Sequence, residues 1–273
     1  MTKLSELADI EKPQSILVYG PPKSGKTHLV SQLVKMGYKL LWLDLENGYQ
    51  TLKTSVPREL MDNVELIRIP DTLANPVAIE TVTRVFRSAA PIKICDRHGK
   101  AMCVICKAGV DKFVEVNIQS LTPEWVVVVD SLSQLSDSAM AHTLGPTKEL
   151  GFAKPSYEEY AKQGLLLSNI LSAQQQAPCH RVFISHEEAI EQEDGSEKII
   201  PVGGTRNFSR KIARYFDHVV YCQTRNKAHE AASSTTYNAK IMSGSRSGIS
   251  LEDKKAHIAD LLKMAPPAPA TTA

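Results

Sequence analysis

Eight consecutive residues near the start of the chain have the types and spacing of a phosphate-binding loop, Gly-x-x-x-x-Gly-Lys-Thr. They are Gly20, Pro21, Pro22, Lys23, Ser24, Gly25, Lys26 and Thr27. The loop lies between an apolar run and a helical pattern, so its N–H groups can surround an anion at a helix N-terminus. Lys26 is expected to reach the β- and γ-phosphates, and the Thr27 hydroxyl to hold magnesium. ATP and Mg²⁺ are the predicted ligands, and His28 ends the predicted nucleotide-binding stretch.

Three later apolar runs each end in a side chain suited to phosphate chemistry. These side chains are Glu46, Asp130 and His186, which follow the runs 39–45, 124–129 and 181–185. Near-continuous apolar runs are typical of parallel strands that are buried on both faces. Ligands of open α/β sheets bind where such strands end, so we expect the three side chains to lie near the phosphate-binding loop.

Each of these residues has a predicted catalytic role beside Lys26. Glu46 could orient or deprotonate a water molecule for attack on the γ-phosphate, although single acids at strand ends are often merely solvated. Asp130 has the position of a Walker B carboxylate, which would hold magnesium together with Thr27. His186 could sense the γ-phosphate by hydrogen bonding, and its alternative role is purely structural.

A cluster of cysteines and one histidine interrupts the alternation of strands and helices at residues 91–122. Its members are Cys95, His98, Cys103 and Cys106. Four such ligands in two close pairs suit tetrahedral zinc, and a complete set of protein ligands indicates a structural site. Zinc would stabilise an insertion that is too small to build its own core. The alternative is a β-hairpin with free thiols, because the spacing between the pairs is short.

The remaining pattern predicts one α/β domain with a largely parallel central sheet flanked by helices. We assign residues 1–12 to a lead-in, 13–264 to an ATPase domain that carries the insertion 91–122, and 265–273 to a disordered tail. Predicted helices cover residues 76–89, 132–143, 158–176, 208–216 and 251–264. Predicted strands include 64–69, 217–222 and 236–242, and a hairpin is expected at 187–202 around Asp194-Gly195.

Composition excludes several classes of protein. The 273 residues are 42% hydrophobic and 23% charged, which is ordinary for a globular protein. No apolar run approaches the roughly 20 residues of a membrane span, and residues 1–6 lack a signal-peptide pattern, so a cytoplasmic location is expected. Five cysteines without an export signal favour reduced thiols or metal ligands over disulfides.

A net charge of only +2 conceals a local basic region. Residues 187–197 carry six acids and no base, whereas residues 198–246 carry nine Lys or Arg and two acids. Two loops offer cations or rings to single-stranded nucleic acid, namely the Gly/Pro-broken stretch 144–158 and the stretch after Gly203-Gly204. The candidate DNA-binding residues are Lys148, Lys154, Tyr157, Arg206, Arg210 and Lys211. Solvated surface loops are the alternative.

Two late cations are candidates for action across a subunit interface. Lys240 and Arg246 lie at or just beyond the predicted strand 236–242. Such cations can reach the nucleotide of a neighbour in an oligomer, although most are simply solvated.

The order of these elements over roughly residues 13–250 resembles the RecA-like recombinase core. More narrowly, it is similar to the short phage-encoded RecA-like ATPases that act as single-strand annealing proteins. The phosphate-binding loop, Asp44-x-Glu46 and the Val-Val-Asp-Ser segment that ends at Ser131 carry the resemblance. It implies a DNA-stimulated ATPase that binds single-stranded DNA as a homo-oligomeric ring or filament and promotes strand annealing or exchange. It also implies a single-strand DNA-binding protein as a further partner and the host-cell cytoplasm as location.

Two other functions fit the same motifs. A kinase for a small molecule or nucleotide would share the phosphate-binding loop, and Arg206, Arg210 and Arg214 are then the nearest candidates for an arginine lid. A nucleotide-gated adaptor would hydrolyse ATP slowly and bind a protein partner through the zinc insertion and the hairpin.

Overall fold

A single eight-stranded sheet, parallel over six strands, organises the part of the chain that the structure describes. The computed structural model describes residues 12–72, 75–107, 112–145, 154–225, 228–234, 238–246, 251 and 257–263. The strands are β1 (Ser15–Tyr19), β2 (Lys39–Asp44), β3 (Val64–Arg68), β4 (Ile92–Cys95), β5 (Phe113–Val116), β6 (Trp125–Asp130), β7 (His180–Ser185), β8 (Glu187–Glu191), β9 (Glu197–Pro201), β10 (His218–Arg225), β11 (Ala228–Ala232) and β12 (Gly244–Ser245). The order across the sheet is β11-β10-β1-β7-β6-β2-β3, and β12 also pairs with β10. Only β11 and β12 run antiparallel to their neighbour in this sheet. The predicted α/β class with a largely parallel sheet is confirmed.

Helices cover both faces of this sheet. They are α1 (Lys26–Ser31), α2 (Tyr49–Ser55), α3 (Ala78–Arg87), α4 (Val104–Lys107), α5 (Leu132–Leu144), α6 (Tyr157–Ala173) and α7 (Arg206–Ser209). Short 3-10 helices cover Gln32–Met36, Arg58–Asn63, Ile118–Ser120, Gln174–Gln176, Ile212–Tyr215 and Ile258–Leu262. The 3-10 helix Gln32–Met36 continues α1 and ends at Gly37, which adopts the left-handed conformation that favours glycine.

Alternate residues along each central strand enter two separate cores. On β2, Leu41 and Leu43 contribute to one core, and Leu40 and Trp42 contribute to the other. All four are almost fully buried. The strands read as continuous apolar runs because both faces are covered, as in other parallel sheets.

Parallel pairing brings the polar strand ends to one edge of the sheet. Asp44 lies opposite Asp130 in the register of β2 and β6, and the Leu45 amide donates a 2.7 Å hydrogen bond to the Asp130 carbonyl oxygen. The loop after β1 and His186 after β7 reach the same edge, because β1 pairs with β7 and β7 with β6. The sheet therefore positions the phosphate-binding loop beside the predicted catalytic residues.

Two antiparallel hairpins stand outside the main sheet. One is the β4–β5 pair, which carries the cysteine cluster, and the other is β8–β9. The first hairpin is tied to α3, because the Thr81 hydroxyl donates to the Gly99 carbonyl at 2.8 Å and accepts from the Ala101 amide at 3.1 Å. The second is the predicted hairpin, with Gly195 in its turn in a left-handed conformation.

Several predicted elements differ in the structure. The prediction of a strand at 236–242 is wrong for the described residues of that segment. Residues 238–241 form a turn, and Ile241 makes only a single bridge to Ile199. The strand beside β10 is instead β11. The predicted helix 208–216 is divided into α7 and a separate 3-10 helix. Of the predicted helix 251–264, the described residues form only the short 3-10 helix Ile258–Leu262.

Some predicted segments lie partly or wholly outside the described residues. They include most of the lead-in 1–12, the centre of the loop 144–158, and the whole tail 265–273. In the described ranges, no helix combines the length and apolar character needed to cross a membrane.

Substitution of the first glycine of the phosphate-binding loop tests how closely β1 packs against β10. A Cβ at Gly20 would lie 2.0 Å from the Cys222 carbonyl oxygen, so Gly20→Ala forces the backbone apart and is expected to cost roughly 2–4 kcal/mol of unfolding free energy. Gly37→Ala is the matched control, because its φ of 92° is also unfavourable for alanine but no atom lies within 4 Å of the added Cβ. It should cost only about 1 kcal/mol. Equal losses in urea unfolding would contradict this account.

Candidate active site

The phosphate-binding loop forms one wall of a cavity of about 540 Å³ at the carboxyl edge of the sheet. Gly25 caps α1 with a φ of 90°, and Lys23 is also left-handed, which shapes the loop around the helix N-terminus. The Lys26 ammonium group donates to the carbonyl oxygens of Gly20 at 2.9 Å and Pro21 at 2.8 Å. Burial lowers the pKa of Lys26. The Ser24 hydroxyl is buried without a hydrogen-bond partner among the described residues, as a group that could serve a phosphate oxygen would be.

Thr27 and Asp130 meet beside this loop. The Thr27 hydroxyl donates to an Asp130 carboxyl oxygen at 3.2 Å, and Asp130 is nearly fully buried. Burial, followed by the charges of Glu46 and Asp44, raises the pKa of Asp130 to about 7. A buried carboxyl group beside a hydroxyl is a donor set that suits magnesium, which prefers oxygen ligands. The residues present therefore fit the predicted Mg²⁺.

Glu46 lies between a serine and a histidine. The Ser131 hydroxyl donates to a Glu46 carboxylate oxygen, and His186 Nε2 lies 3.4 Å from the same oxygen. The hydrogen bond from His186 holds the pKa of Glu46 below its usual value, although burial acts in the opposite direction. Glu46 is therefore a charged acceptor held in one orientation at neutral pH, as a base that positions water must be.

The turn that carries Glu46 depends on Asp44. Its carboxylate accepts hydrogen bonds from the Gly48 amide at 2.8 Å and the Tyr49 amide at 3.1 Å, and so starts α2. Burial raises the pKa of Asp44. The sequence shows an acid two positions before Glu46. It does not predict that this acid accepts hydrogen bonds from the backbone of the following turn.

The backbone of His186 connects the cavity to the loop after β9. Its amide donates to the Ser133 hydroxyl at 2.9 Å, and its carbonyl oxygen accepts from the Val202 amide at 2.9 Å. Val202 immediately precedes Gly203-Gly204. The backbone of His186 is therefore hydrogen-bonded to the residue that precedes the predicted DNA-binding loop.

His229 and Ser131 were missed by the sequence analysis as site residues. The His229 ring packs on the phosphate-binding loop, where a Cβ on Gly25 would lie 2.8 Å from its Nδ1 atom. No signal identified His229, because its strand β11 was itself not predicted. For Ser131, the signal was its place directly after the Walker B acid.

A second cavity of about 780 Å³ adjoins the first. Glu46 and His186 line both cavities and separate them. Beyond this pair, the second cavity is lined by charged groups that include Arg68, Asp71 and Asp137. The arrangement leaves room for a second ligand next to the predicted γ-phosphate position.

The predicted zinc ligands converge in space. The ligand atoms of Cys95, His98, Cys103 and Cys106 all lie within 4.8 Å of one another. His98 Nδ1 lies 3.1 Å from the Cys106 sulfur and 3.6 Å from the Cys103 sulfur. Tetrahedral Zn–S bonds of about 2.3 Å place sulfurs roughly 3.8 Å apart, so the cluster fits one zinc ion. A hydrogen bond from the Cys106 backbone, with further ones from His98 and the neighbouring thiols, lowers the pKa of Cys103 to about 7.

The candidate DNA-binding residues lie mainly at the surface. Lys154, Arg210 and Lys211 are exposed, and Tyr157 is 89% exposed. Arg206 is exposed but makes a 2.8 Å ion pair with Glu188 of the acidic hairpin. Lys148 lies outside the described residues.

The two candidate interface cations do not lie together. Arg246 follows β12, which pairs with the first residues of β10, and its guanidinium group lies 3.7 Å from Asp217 Oδ1. Lys240 precedes Ile241, which bridges to Ile199 of β9. Arg246 is therefore at the amino edge of the sheet, opposite the phosphate-binding loop, and is remote from the cavity of its own chain.

The raised pKa of Asp130 has a consequence for stability. The folded chain holds this proton up to about pH 7, whereas an unfolded Asp loses it near 3.9, so stability falls as pH rises between these values. Asp130→Asn should raise the unfolding free energy of the nucleotide-free protein by roughly 2 kcal/mol above pH 7 and much less near pH 4. The same variant should lose magnesium-dependent ATP turnover.

The matched control is Asp62→Asn, which alters an exposed carboxyl group. Urea unfolding at several pH values measures the effect. A gain in stability that is independent of pH, or no gain, would contradict the assignment of a protonated Asp130.

A family model and a solved structure are similar to this chain. Among solved structures, the chain is similar to a prototypical ATPase from the type III secretion system of pathogenic bacteria, with 10% sequence identity and a TM-score of 0.44. The match covers 79% of this chain and 53% of that one, so the chain spans about half the length of that ATPase. No curated protein matches significantly. Residues 12–247 match the family model described as AAA domain. The chain therefore belongs to the AAA domain family and is a nucleotide-binding P-loop ATPase domain.

Proposed function

We propose that this chain couples Mg-ATP hydrolysis to binding of single-stranded DNA, assembles as a homo-oligomer, and promotes annealing or exchange of DNA strands. The observation that carries the proposal is the path of contacts from Glu46 through His186 to Val202. It joins the nucleotide cavity to the segment that leads into α7 and its cations. Nucleotide and DNA would then favour the same arrangement of this path.

The cavity supplies the groups that hydrolysis requires. Lys26 and the loop amides would hold the phosphates, and Glu46, oriented by Ser131, would accept the proton of an attacking water. Magnesium, held by Thr27 and Asp130, would supply positive charge at the phosphate oxygens. His186 lies where a change at the γ-phosphate would alter its contact with Glu46.

The surface next to Val202 supports DNA binding. A Cβ on Gly164 of α6 would lie 3.7 Å from the Phe208 ring, so the middle of α6 packs against α7. Tyr160 is one turn before Gly164 and therefore on the same face, and the exposed Tyr157 begins the helix. The face of α6 that carries Tyr160 thus lies beside α7, which Arg210 and Lys211 directly follow. Rings and cations together are what single-stranded DNA requires.

The position of Arg246 supports assembly. Arg246 is remote from its own cavity and could act only on the nucleotide of another subunit. Lys240 remains the second proposed cation for this role. Completion of the cavity by a neighbour's cation would make turnover depend on assembly along DNA. A single-strand DNA-binding protein remains a further proposed partner, because such a protein would hold the same substrate.

The experiment measures ATP turnover with and without single-stranded DNA. Wild type should be stimulated by DNA, and Lys26→Ala should be inactive in both conditions. Arg210→Ser/Lys211→Ser should keep the basal rate but need about tenfold more DNA for half-maximal stimulation. In binding assays, the slope of log affinity against log salt concentration should be smaller for this variant by roughly 1.4. Each phosphate contact to a single strand contributes about 0.7 to that slope, and the variant loses two.

The matched control is Lys35→Ser/Arg58→Ser, which removes two exposed cations elsewhere. If it weakens DNA binding as much as the first pair does, the effect is one of overall charge and the proposed surface is wrong. Turnover that DNA leaves unchanged would refute the coupling. A wild-type rate no higher than that of Glu46→Gln would favour the nucleotide-gated adaptor.

A kinase is the second candidate, and the adjoining cavity of about 780 Å³ is the observation that favours it. A phosphate acceptor bound there would face Glu46 as a base. The two functions differ in product, because a kinase transfers labelled phosphate to a nucleoside or other small hydroxyl compound without DNA, whereas the proposed ATPase releases inorganic phosphate.

We further propose that the cysteine cluster binds one structural Zn²⁺ per chain. Cys103→Ser should lose the metal and make the segment 91–122 sensitive to protease, since the β4–β5 hairpin has little core of its own. Cys179→Ser, which alters a buried cysteine outside the cluster, should retain the metal. Metal content by mass spectrometry and limited proteolysis measure both. Full zinc content in Cys103→Ser would refute the ligand set.

A further inference from the structure

The zinc insertion carries an open groove away from the nucleotide cavity. The groove has a volume of about 910 Å³ and lies between the end of α3 and the β4–β5 hairpin. Its apolar lining is formed by Pro91, Ile92, Met102, Val104 and Phe113. Met102 is 64% and Val104 76% exposed. Scattered exposed apolar residues are ordinary, but a concave set that continues into a cavity indicates a binding surface.

The rim of this groove is basic. Arg84, Arg87 and Lys93 line it, and none of its lining residues among those the structure describes is acidic. Arg84 is engaged with Glu80 at 3.2 Å and also contacts the Met102 sulfur. For Arg87 and Lys93, no carboxylate within the described ranges lies at ion-pair distance. The insertion 91–122 itself carries five Lys or Arg and three Asp or Glu, so its charge adds to that of the two arginines of α3.

We propose that this groove docks a partner protein through a short acidic segment that also carries large apolar side chains. The apolar residues of the partner enter the groove, and its carboxylates meet Arg87 and Lys93 at the rim. The groove backs onto the cysteine cluster, since Cys103 lines it and Phe113 packs on the cluster. The insertion thus presents a binding surface outside the ATPase core.

The acidic hairpin of a second copy fits the groove less well than such a partner. Its strand β8 is rich in Glu, but its large apolar residue Ile190 is buried. In β9, Ile200 is buried and Ile199 packs partly against the core, so the hairpin offers charge to the rim and no fully exposed large apolar side chain to the floor. Residues 1–11 do combine Leu4, Leu7 and Ile10 with acids, so the experiment must separate them from a partner.

The test uses the full chain and a fluorescein-labelled acidic peptide containing leucine and phenylalanine, with binding followed by anisotropy. Two further peptides serve as comparison. One has asparagine in place of every aspartate, and the other has serine in place of every apolar residue. Both should bind at least about tenfold more weakly than the first peptide. Arg87→Glu and Val104→Ser should weaken binding of the first peptide by a similar factor. Arg58→Glu and Leu165→Ser are the matched controls, since they make the same charge change and a comparable apolar-to-serine change at exposed sites elsewhere, and they should bind as wild type does.

Zinc content, basal ATP turnover and DNA binding of the variants should equal those of wild type, which separates the groove from the proposed DNA function. If Val104→Ser disturbs the metal, Lys93→Glu supplies the readout. Equal affinity of Arg87→Glu and Arg58→Glu would overturn the proposal. Tighter peptide binding after removal of residues 1–11 would assign the groove to that segment, and a changed oligomer mass in the groove variants would assign it to a contact between copies. Either result would overturn docking of a separate partner.

Discussion

Three carboxyl groups crowd the edge of the sheet where the phosphate-binding loop ends, and most of the local structure offsets their repulsion. Asp44, Glu46 and Asp130 follow or end neighbouring strands, so they cannot move apart without breaking the register of β2 and β6. Each of the three carboxyl groups has a different set of hydrogen-bond partners. Backbone amides donate hydrogen bonds to Asp44. Ser131 and His186 hold Glu46. Within the part of the chain that the structure describes, the Asp130 carboxyl group accepts a hydrogen bond from the Thr27 hydroxyl alone. Among the described residues, Asp130 has the fewest hydrogen-bond partners of the three, and burial gives it the largest upward shift in pKa.

The different surroundings of these carboxyl groups suit them to different chemistry. A carboxylate whose pKa is held low is ready to accept a hydrogen bond from water, whereas a buried carboxyl group whose pKa is raised gains most from a cation. The roles proposed for Glu46 as a base and for Asp130 as a magnesium ligand agree with these different surroundings. His186 belongs to the same network and is also anchored through its backbone to Ser133 and Val202, so the edge of the sheet is connected with the loop that follows β9.

The sequence predicted those parts of the molecule that local patterns determine. Buried strands were visible as apolar runs, and their polar last residues could be placed together because parallel strands end at one edge. The cysteine cluster was visible because its members are close in the sequence. By contrast, β11 (Ala228–Ala232) has weak strand propensity and forms by pairing with β10, while the described residues 238–242 of the more β-like segment 236–242 do not enter the sheet. The contacts of Ser131 with Glu46 and of His229 with Gly25 join distant parts of the chain, and no local pattern reports them.

The two ends of β10 point to different environments. Its last residues approach the phosphate-binding loop, where Cys222 meets Gly20, and its first residues pair with the strand that precedes Arg246. If Arg246 serves a neighbouring subunit, each contact joins the top of one molecule to the bottom of the next. Such head-to-tail association cannot close as a two-fold dimer and yields either a ring or an open helical array. In an open array, one terminal subunit always lacks its donor, so the fraction of competent sites would rise with the length of the assembly.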